Sequence, residues 1–354
     1  ALLVLALADQ PVDVDGAVTE VAELVGREQP DLLLVNDDDL AYAKIRLDER
    51  SLATALTHPR GFTSSLPRSL VLACLWDMTR DAEMGARAFV DVVLATLPGE
   101  TDSTLLRTLL AQLQTSVLSY TDPEQREATR ASTRDRLWEI ARASEPGTDA
   151  QLQLVSAACA LTTAGDDVAS VRALLDGTEV LDGLKVDFEM RWTLLTALAA
   201  AGEADDAQID AELASEDTAT GRERAARAKA ARPTVQAKEA AWAAAVEGSG
   251  LPNAVVAIGQ GFSRPGTPAD LLRPYVERYH CMLDTVEERG SHALVESVVY
   301  GFYPRPLVDR DLHDATQAWL DTHPDAPAAL RRLVVENRDP VARALSAQAR
   351  DAGA

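Results

Sequence analysis

The stretch Leu152-Gln-Leu-Val155-Ser-Ala-Ala-Cys159-Ala-Leu-Thr162-Thr-Ala164-Gly165 decides the fold class. Positions 152, 155, 159 and 162 follow the three-to-four spacing that puts side chains on one face of an α-helix, and Gly165 follows as a helix stop. Trp192, Leu195 and Ala199 repeat the pattern before Ala201-Gly202. We assign both faces to a core. From Asp48 onward the same period recurs between Gly, Pro and Asp punctuation. Asp122-Pro-Glu-Gln, Thr267-Pro-Ala-Asp and Asp325-Ala-Pro read as helix starts, and Glu247-Gly248 and Arg289-Gly290 as further stops. About fifteen helices with short connections and no parallel-strand pattern predict a mostly α fold. Its expected form is a superhelical stack of antiparallel helix pairs, an α-solenoid of the HEAT/armadillo kind with an irregular period.

The first 47 residues differ. Leu2–Leu7, Val12–Val14, Val18 and Val21, Leu32–Val35 and Ala43–Leu47 alternate like short strands, with a turn at Asp15-Gly16. A small N-terminal β segment over 1–47 is therefore expected ahead of a helical, bowl-shaped domain over 48–354. So small a sheet cannot bury both faces, so it would pair with strands outside the chain or pack on the helices. The chain opens in an apolar run, Ala1–Ala8, without Met or basic flank, so we expect it to continue a larger protein rather than to carry a leader.

Composition narrows the partners. The 354 residues carry 34 Lys and Arg against 56 Asp and Glu, a net charge of −22, which repels phosphate backbones and anionic lipid. Neither nucleic acid nor membrane is an expected partner, and a cytoplasmic location is expected. Cys74, Cys159 and Cys281 lie far apart in apolar helical settings and read as buried thiols of a reducing compartment.

A search for chemistry finds little. None of His58, His280, His292, His313 and His323 belongs to an HExxH helix; His292 and Glu296 share a face but supply two ligands. His280 and Cys281 are helix neighbours whose side chains diverge by roughly 100°. Gly259-Gln-Gly261 lacks a preceding strand and reads as a helix end before a turn. GxSxG and GxxxxGK[ST] are absent. No catalytic residue and no metal ligand is assigned. Two polar runs interrupt apolar surroundings, Trp76–Met84 and Asp187–Trp192. They supply Arg80, Glu83 and Arg191 either as internal ion pairs or as groups facing a cavity, where a guanidinium can bind a peptide's carboxylate or carbonyls.

An ordered series of stretches carries a family resemblance. They are Pro30–Asp48 with Asn36, Tyr42 and Lys44; Trp76–Met84; Asp187–Trp192; Lys238-Glu-Ala-Ala-Trp242; Gly261-Phe262 with Tyr275-Val-Glu-Arg-Tyr279; and Ala329–Glu336. In this order they resemble the C-terminal helical domain of aminopeptidase N-type zinc metallopeptidases, nearest the actinobacterial branch, with the end of the preceding β-sandwich domain. The resemblance implies a zinc-dependent aminopeptidase whose metal, HExxH helix and GxMEN motif lie in another domain. This chain would then be inactive alone and without a cofactor of its own. It would cap the active-site chamber and control access of short peptides, with its own catalytic domain as partner. The alternative is a free-standing α-solenoid that binds a protein.

Overall fold

A computed structural model of the chain describes residues 12–62, 64–248 and 250–353. Its helices are α1 (Glu49–Thr57), α2 (Ser65–Arg80), α3 (Ala86–Thr96), α4 (Ser103–Thr115), α5 (Arg126–Ala143), α6 (Asp149–Ala160), α7 (Ala169–Asp176), α8 (Phe188–Ala201), α9 (Asp206–Ser215), α10 (Ala219–Ala231), α11 (Val235–Trp242), α12 (Pro252–Phe262), α13 (Ala269–Leu272), α14 (Tyr275–Leu283), α15 (His292–Gly301), α16 (Arg310–Thr322) and α17 (Ala328–Ala352). Single π-helical turns, Ser116–Tyr120 and Ala243–Glu247, extend α4 and α11.

Side-chain oxygens start many of these helices. Asp48 accepts from Arg50 N and Ser51 N, Asp102 from Thr104 N and Leu105 N, and Asp187 from Met190 N; Asp205 and Gln208 form a reciprocal capping box. Gly202 ends α8 at φ 83°, a left-handed conformation a side chain would resist. The other expected starts are displaced. Asp122 opens a turn before α5, whose N-cap is Gln125, while α13 and α17 follow Pro268 and Pro327 without a side-chain cap.

Helices α4, α6, α8, α10, α12, α15 and α17 each pack on the next, forming one layer. Helices α5, α7, α9, α11 and α16 cover them as the second member of each pair, and α14 packs on α16. This is the expected stack of helix pairs, but it does not run open-ended. Helix α17 also packs on α2, α3 and the π-helical turn Ser116–Tyr120, so the last helix closes a circuit with the N-terminal helices α2 and α3. The core follows the same plan. One apolar cluster runs from Leu32 to Ala228 and a second from Ala230 to Val341. A third joins them at the closing seam, with Ala86, Tyr120, Val308, Ala344 and Ala347 packed beside Trp76.

Three expectations are corrected. Among the described residues there is no strand, so the small N-terminal β segment is not observed; residues 12–47 run without regular pairing apart from a 3-10 turn at Ala22–Leu24. The first expected strand, Leu2–Leu7, lies outside the described residues. In α6 the buried face is Gln151, Leu154, Val155, Ala158 and Cys159, while Leu152 is exposed. Cys281 is exposed too, because α14 buries Tyr275, Tyr279, Met282 and Leu283 and leaves position 281 on its outer side.

Candidate functional site

The seam between the last helix and the N-terminal helices α2 and α3 is where the structure brings charged groups together. Helix α2 ends at Arg80, and the chain reverses through Asp81 and Ala82, whose φ of 59° is unusual for a residue with a Cβ. Hydrogen bonds from Glu83 N (2.8 Å) and Met84 N (3.2 Å) to Met78 O hold this turn. Asp81 then faces Lys44 at 2.8 Å, Arg46 at 2.6 Å and Arg343 of α17 at 3.6 Å. Arg46 also reaches Glu83 at 2.7 Å, and Arg350 donates to Glu83 O at 3.2 Å. Lys44 first, then Arg46, hold the Asp81 carboxyl below its ordinary range, against the opposing pull of burial.

Arg80 lies over the Trp76 ring at 5.9 Å, and Trp76 stacks on Tyr120 at 5.8 Å and tilts against Phe89 at 5.4 Å. Its ion pair with Asp77 is long, 3.7 Å. Of the two arginine candidates, Arg80 therefore has the less committed guanidinium. Glu83 is engaged by Arg46. Arg191 lies elsewhere, in the first turn of α8, where it grips Glu212 of α9 through two 2.6 Å bonds and Leu175 O at 3.2 Å. The structure thus brings Arg80 and Glu83 to one seam and places Arg191 in a separate helix-pair contact.

Sequence reasoning missed the group that closes the seam. Asp351, fully buried in the last turn of α17, accepts from Arg87 N, Arg87 Nε and Asp122 N, each at 2.9 Å. Arg87 Nη2 returns a bond to Asp351 O at 2.8 Å, and Gln348 Nε2 donates to Ser119 O at 2.8 Å. One carboxylate from the end of the chain thereby caps the N-terminus of α3 and the turn before α5. No local spacing could reveal this, because Arg87 and Asp351 lie 264 positions apart.

Buried cations hold the helix C-termini of the neighbouring layer. Arg264 donates to Thr162 O (2.8 Å), Cys159 O (2.8 Å) and Ala160 O (3.1 Å), joining the ends of α6 and α12. Burial and the nearby Arg227 push its guanidinium down to about 10. Lys238 is wholly buried, and its Nζ donates to Ala230 O (2.7 Å), Phe262 O (3.2 Å) and Gly261 O (3.4 Å). Burial, then Arg264, push this ammonium down to about 7. The negative ends of two helix dipoles favour a cation here. Arg130 follows a different pattern: it meets Asp166 at 2.8 Å and Glu127 at 2.6 Å, and Arg134 shares Asp166. Although burial opposes it, these carboxylates keep Arg130 above its ordinary pKa. The glycines of Gly259-Gln-Gly261 lie near the end of α12 and let helices approach. A Cβ on Gly259 would stand 2.7 Å from Gly301 Cα, and one on Gly261 would stand 2.1 Å from Arg227 O.

His280 is half-buried, with Nδ1 2.7 Å from Val276 O and Nε2 3.1 Å from Thr316 Oγ1, and burial pushes its pKa down. The Cys74 and Cys159 thiols are buried and pushed up, to about 11 and about 12. Among the described residues no three His, Cys, Asp or Glu side chains converge to hold a metal, and no helix is long and apolar enough to cross a membrane.

Fold and side chains together define an all-α repeat domain, closed by its final helix and held at its helix ends by buried charges. Residues 32–343 match the family model described as the ERAP1-like C-terminal domain, and the chain belongs to that family. Over 344 residues, 97% of this chain, it is 43% identical to a protein named Aminopeptidase N from Streptomyces lividans. The match covers 40% of that relative's length.

Proposed function

We propose that this chain is the non-catalytic C-terminal part of a zinc-dependent aminopeptidase that removes N-terminal residues from peptides. The observation that carries the reading is the alignment of nearly the whole chain with 40% of an Aminopeptidase N. Zinc and bond cleavage then belong to the part of the enzyme outside this chain. The helical domain, 48–354, caps the active-site chamber, controls the access of short peptides and packs on its own catalytic domain; residues 1–47 would end a β-sandwich only on pairing with strands outside this chain. Asp48 as the N-cap of α1 agrees with a boundary at 47/48. A closed chamber excludes bulk water and rejects folded proteins, so the domain works through access and product release. A cytoplasmic location belongs to the same reading.

Arg80, Glu83 and Arg191 are the chamber candidates, and their contacts rank them. Arg80 has donors to spare for a peptide carboxylate or carbonyl. Arg191 is already satisfied by Glu212 and Leu175 O. In the enzyme containing its catalytic part, Arg80→Ala is expected to raise KM for tetrapeptides more than for a single-residue anilide, while Arg191→Ala changes both alike. The access role itself is tested by deleting 48–353 from that enzyme. Discrimination between tetrapeptides and a folded protein with a free N-terminus should fall, with the anilide still cleaved. Unchanged discrimination would refute the role.

A further inference from the structure

Helices α8 and α10 lie side by side in register. Glu189 pairs with Arg224 at 3.1 Å near their N-termini, and Gly202 approaches the Pro233 ring past their C-termini. One turn on from the Glu189–Arg224 pair, on the same faces, stand Trp192 and Arg227. Each carries a buried donor with no acceptor: the indole Nε1 of Trp192, a side chain 2% exposed, and the Nε of Arg227. Buried donors are almost always paired, so two orphans on packed helices, each one turn on from the same ion pair, call for an acceptor.

Charge makes the same demand. Among the described residues Arg227 makes no ion pair and no hydrogen bond, whereas Arg130 and Arg191 meet carboxylates and Arg264 donates to three carbonyl oxygens. The nearest carboxylate acting on it, Glu189, is held by Arg224, and Arg227 in turn acts on the buried Arg264. Arg227 thus lies between two cations and shares with Arg224 the carboxylate that acts on it, in a chain whose net charge is −22. Water would satisfy the N–H groups but add no counter-charge.

We propose that Arg227 and Trp192 form a niche between α8 and α10 for a small monovalent anion, a carboxylate or a halide. The anion accepts from the guanidinium and the indole N–H and screens Arg224 and Arg264 from Arg227. This goes beyond the aminopeptidase reading and does not depend on it, since every residue involved lies in this chain.

The test follows indole N–H resonances of the full 354-residue chain, the Trp192 signal being the one lost in Trp192→Phe. Sodium acetate and sodium chloride are titrated separately at constant ionic strength, held with a bulky sulfonate. The Trp192 signal should shift saturably with at least one of them; acetate alone marks a carboxylate site, chloride alone a halide site. Arg227→Met should abolish the shift, and Arg227→Lys, which keeps the charge without the Nε donor, should raise the half-saturation concentration about tenfold. If Arg227→Met does not fold, the lysine variant decides alone. A Trp192 signal that neither anion moves, or a titration unaffected by either Arg227 substitution, overturns the proposal.

Discussion

Replacing Asp351 with alanine should open the closed circuit of helices at its seam. The carboxylate is fully buried and accepts three bonds at 2.9 Å, two of them from backbone N–H groups of Arg87 and Asp122. Its loss leaves those two amides without an acceptor, at about 1–3 kcal/mol each. The Arg87 guanidinium is 37% exposed and regains water, so its share is small. The sum is about 2–6 kcal/mol, a range that brackets the usual cost of removing one partner of a buried ion pair. Asp351→Asn retains one acceptor oxygen and should lose about half as much. Urea unfolding followed by tryptophan fluorescence measures the loss. Hydrogen exchange locates it, with faster exchange expected in 340–353 and at the start of α3. A loss under about 1 kcal/mol for Asp351→Ala, or exchange that accelerates nowhere near the seam, would refute the argument.

Two further outcomes follow from the buried groups. Lys238 has an ordinary pKa of 10.5 and is pushed to about 7 in the fold, so between these values the unfolded chain binds a proton that the native chain does not. Stability contributed at this site therefore rises as pH rises from about 7 to about 10.5. In Lys238→Met, which also strips the donor from Ala230 O, Gly261 O and Phe262 O, this rise should be missing, and the stability gap to wild type should widen with pH in denaturant titrations. A constant gap would contradict the assignment. Cys281 is exposed, and Cys74 and Cys159 are buried, so a thiol reagent should label one cysteine in the native chain and three in denaturant.

The helical class and much of the core were legible because they rest on local period. Trp192, Leu195 and Ala199 all fall on the buried side of α8, and Gly202 ends it as its position implies. Legibility failed where burial depends on what packs from the side. Helix α6 is enclosed by α4, α5 and α8, which turns Gln151 and Leu154 inward and Leu152 out. Val12 to Leu47 has strand-like alternation, but strands need partners, and Val14, Val18 and Leu40 remain largely exposed at 82%, 87% and 88%. At the candidate site, the Arg80–Asp77 pair is readable from its i, i+3 spacing, whereas the contacts of Asp81 with Arg46 and Arg343 are set by long-range closure. The role of Asp351 is the extreme case. An acid in a last helical turn runs against the helix dipole, and only the opposing end of α3 explains it.

The most direct measurement of the account compares the 354-residue chain with the polypeptide that joins it to its N-terminal part, assaying bound zinc and hydrolysis of alanine anilide side by side. The account predicts stoichiometric zinc and turnover in the longer polypeptide and neither in the chain alone. Zinc-dependent turnover by the isolated chain, or a longer polypeptide that neither binds zinc nor cleaves the anilide, would contradict it.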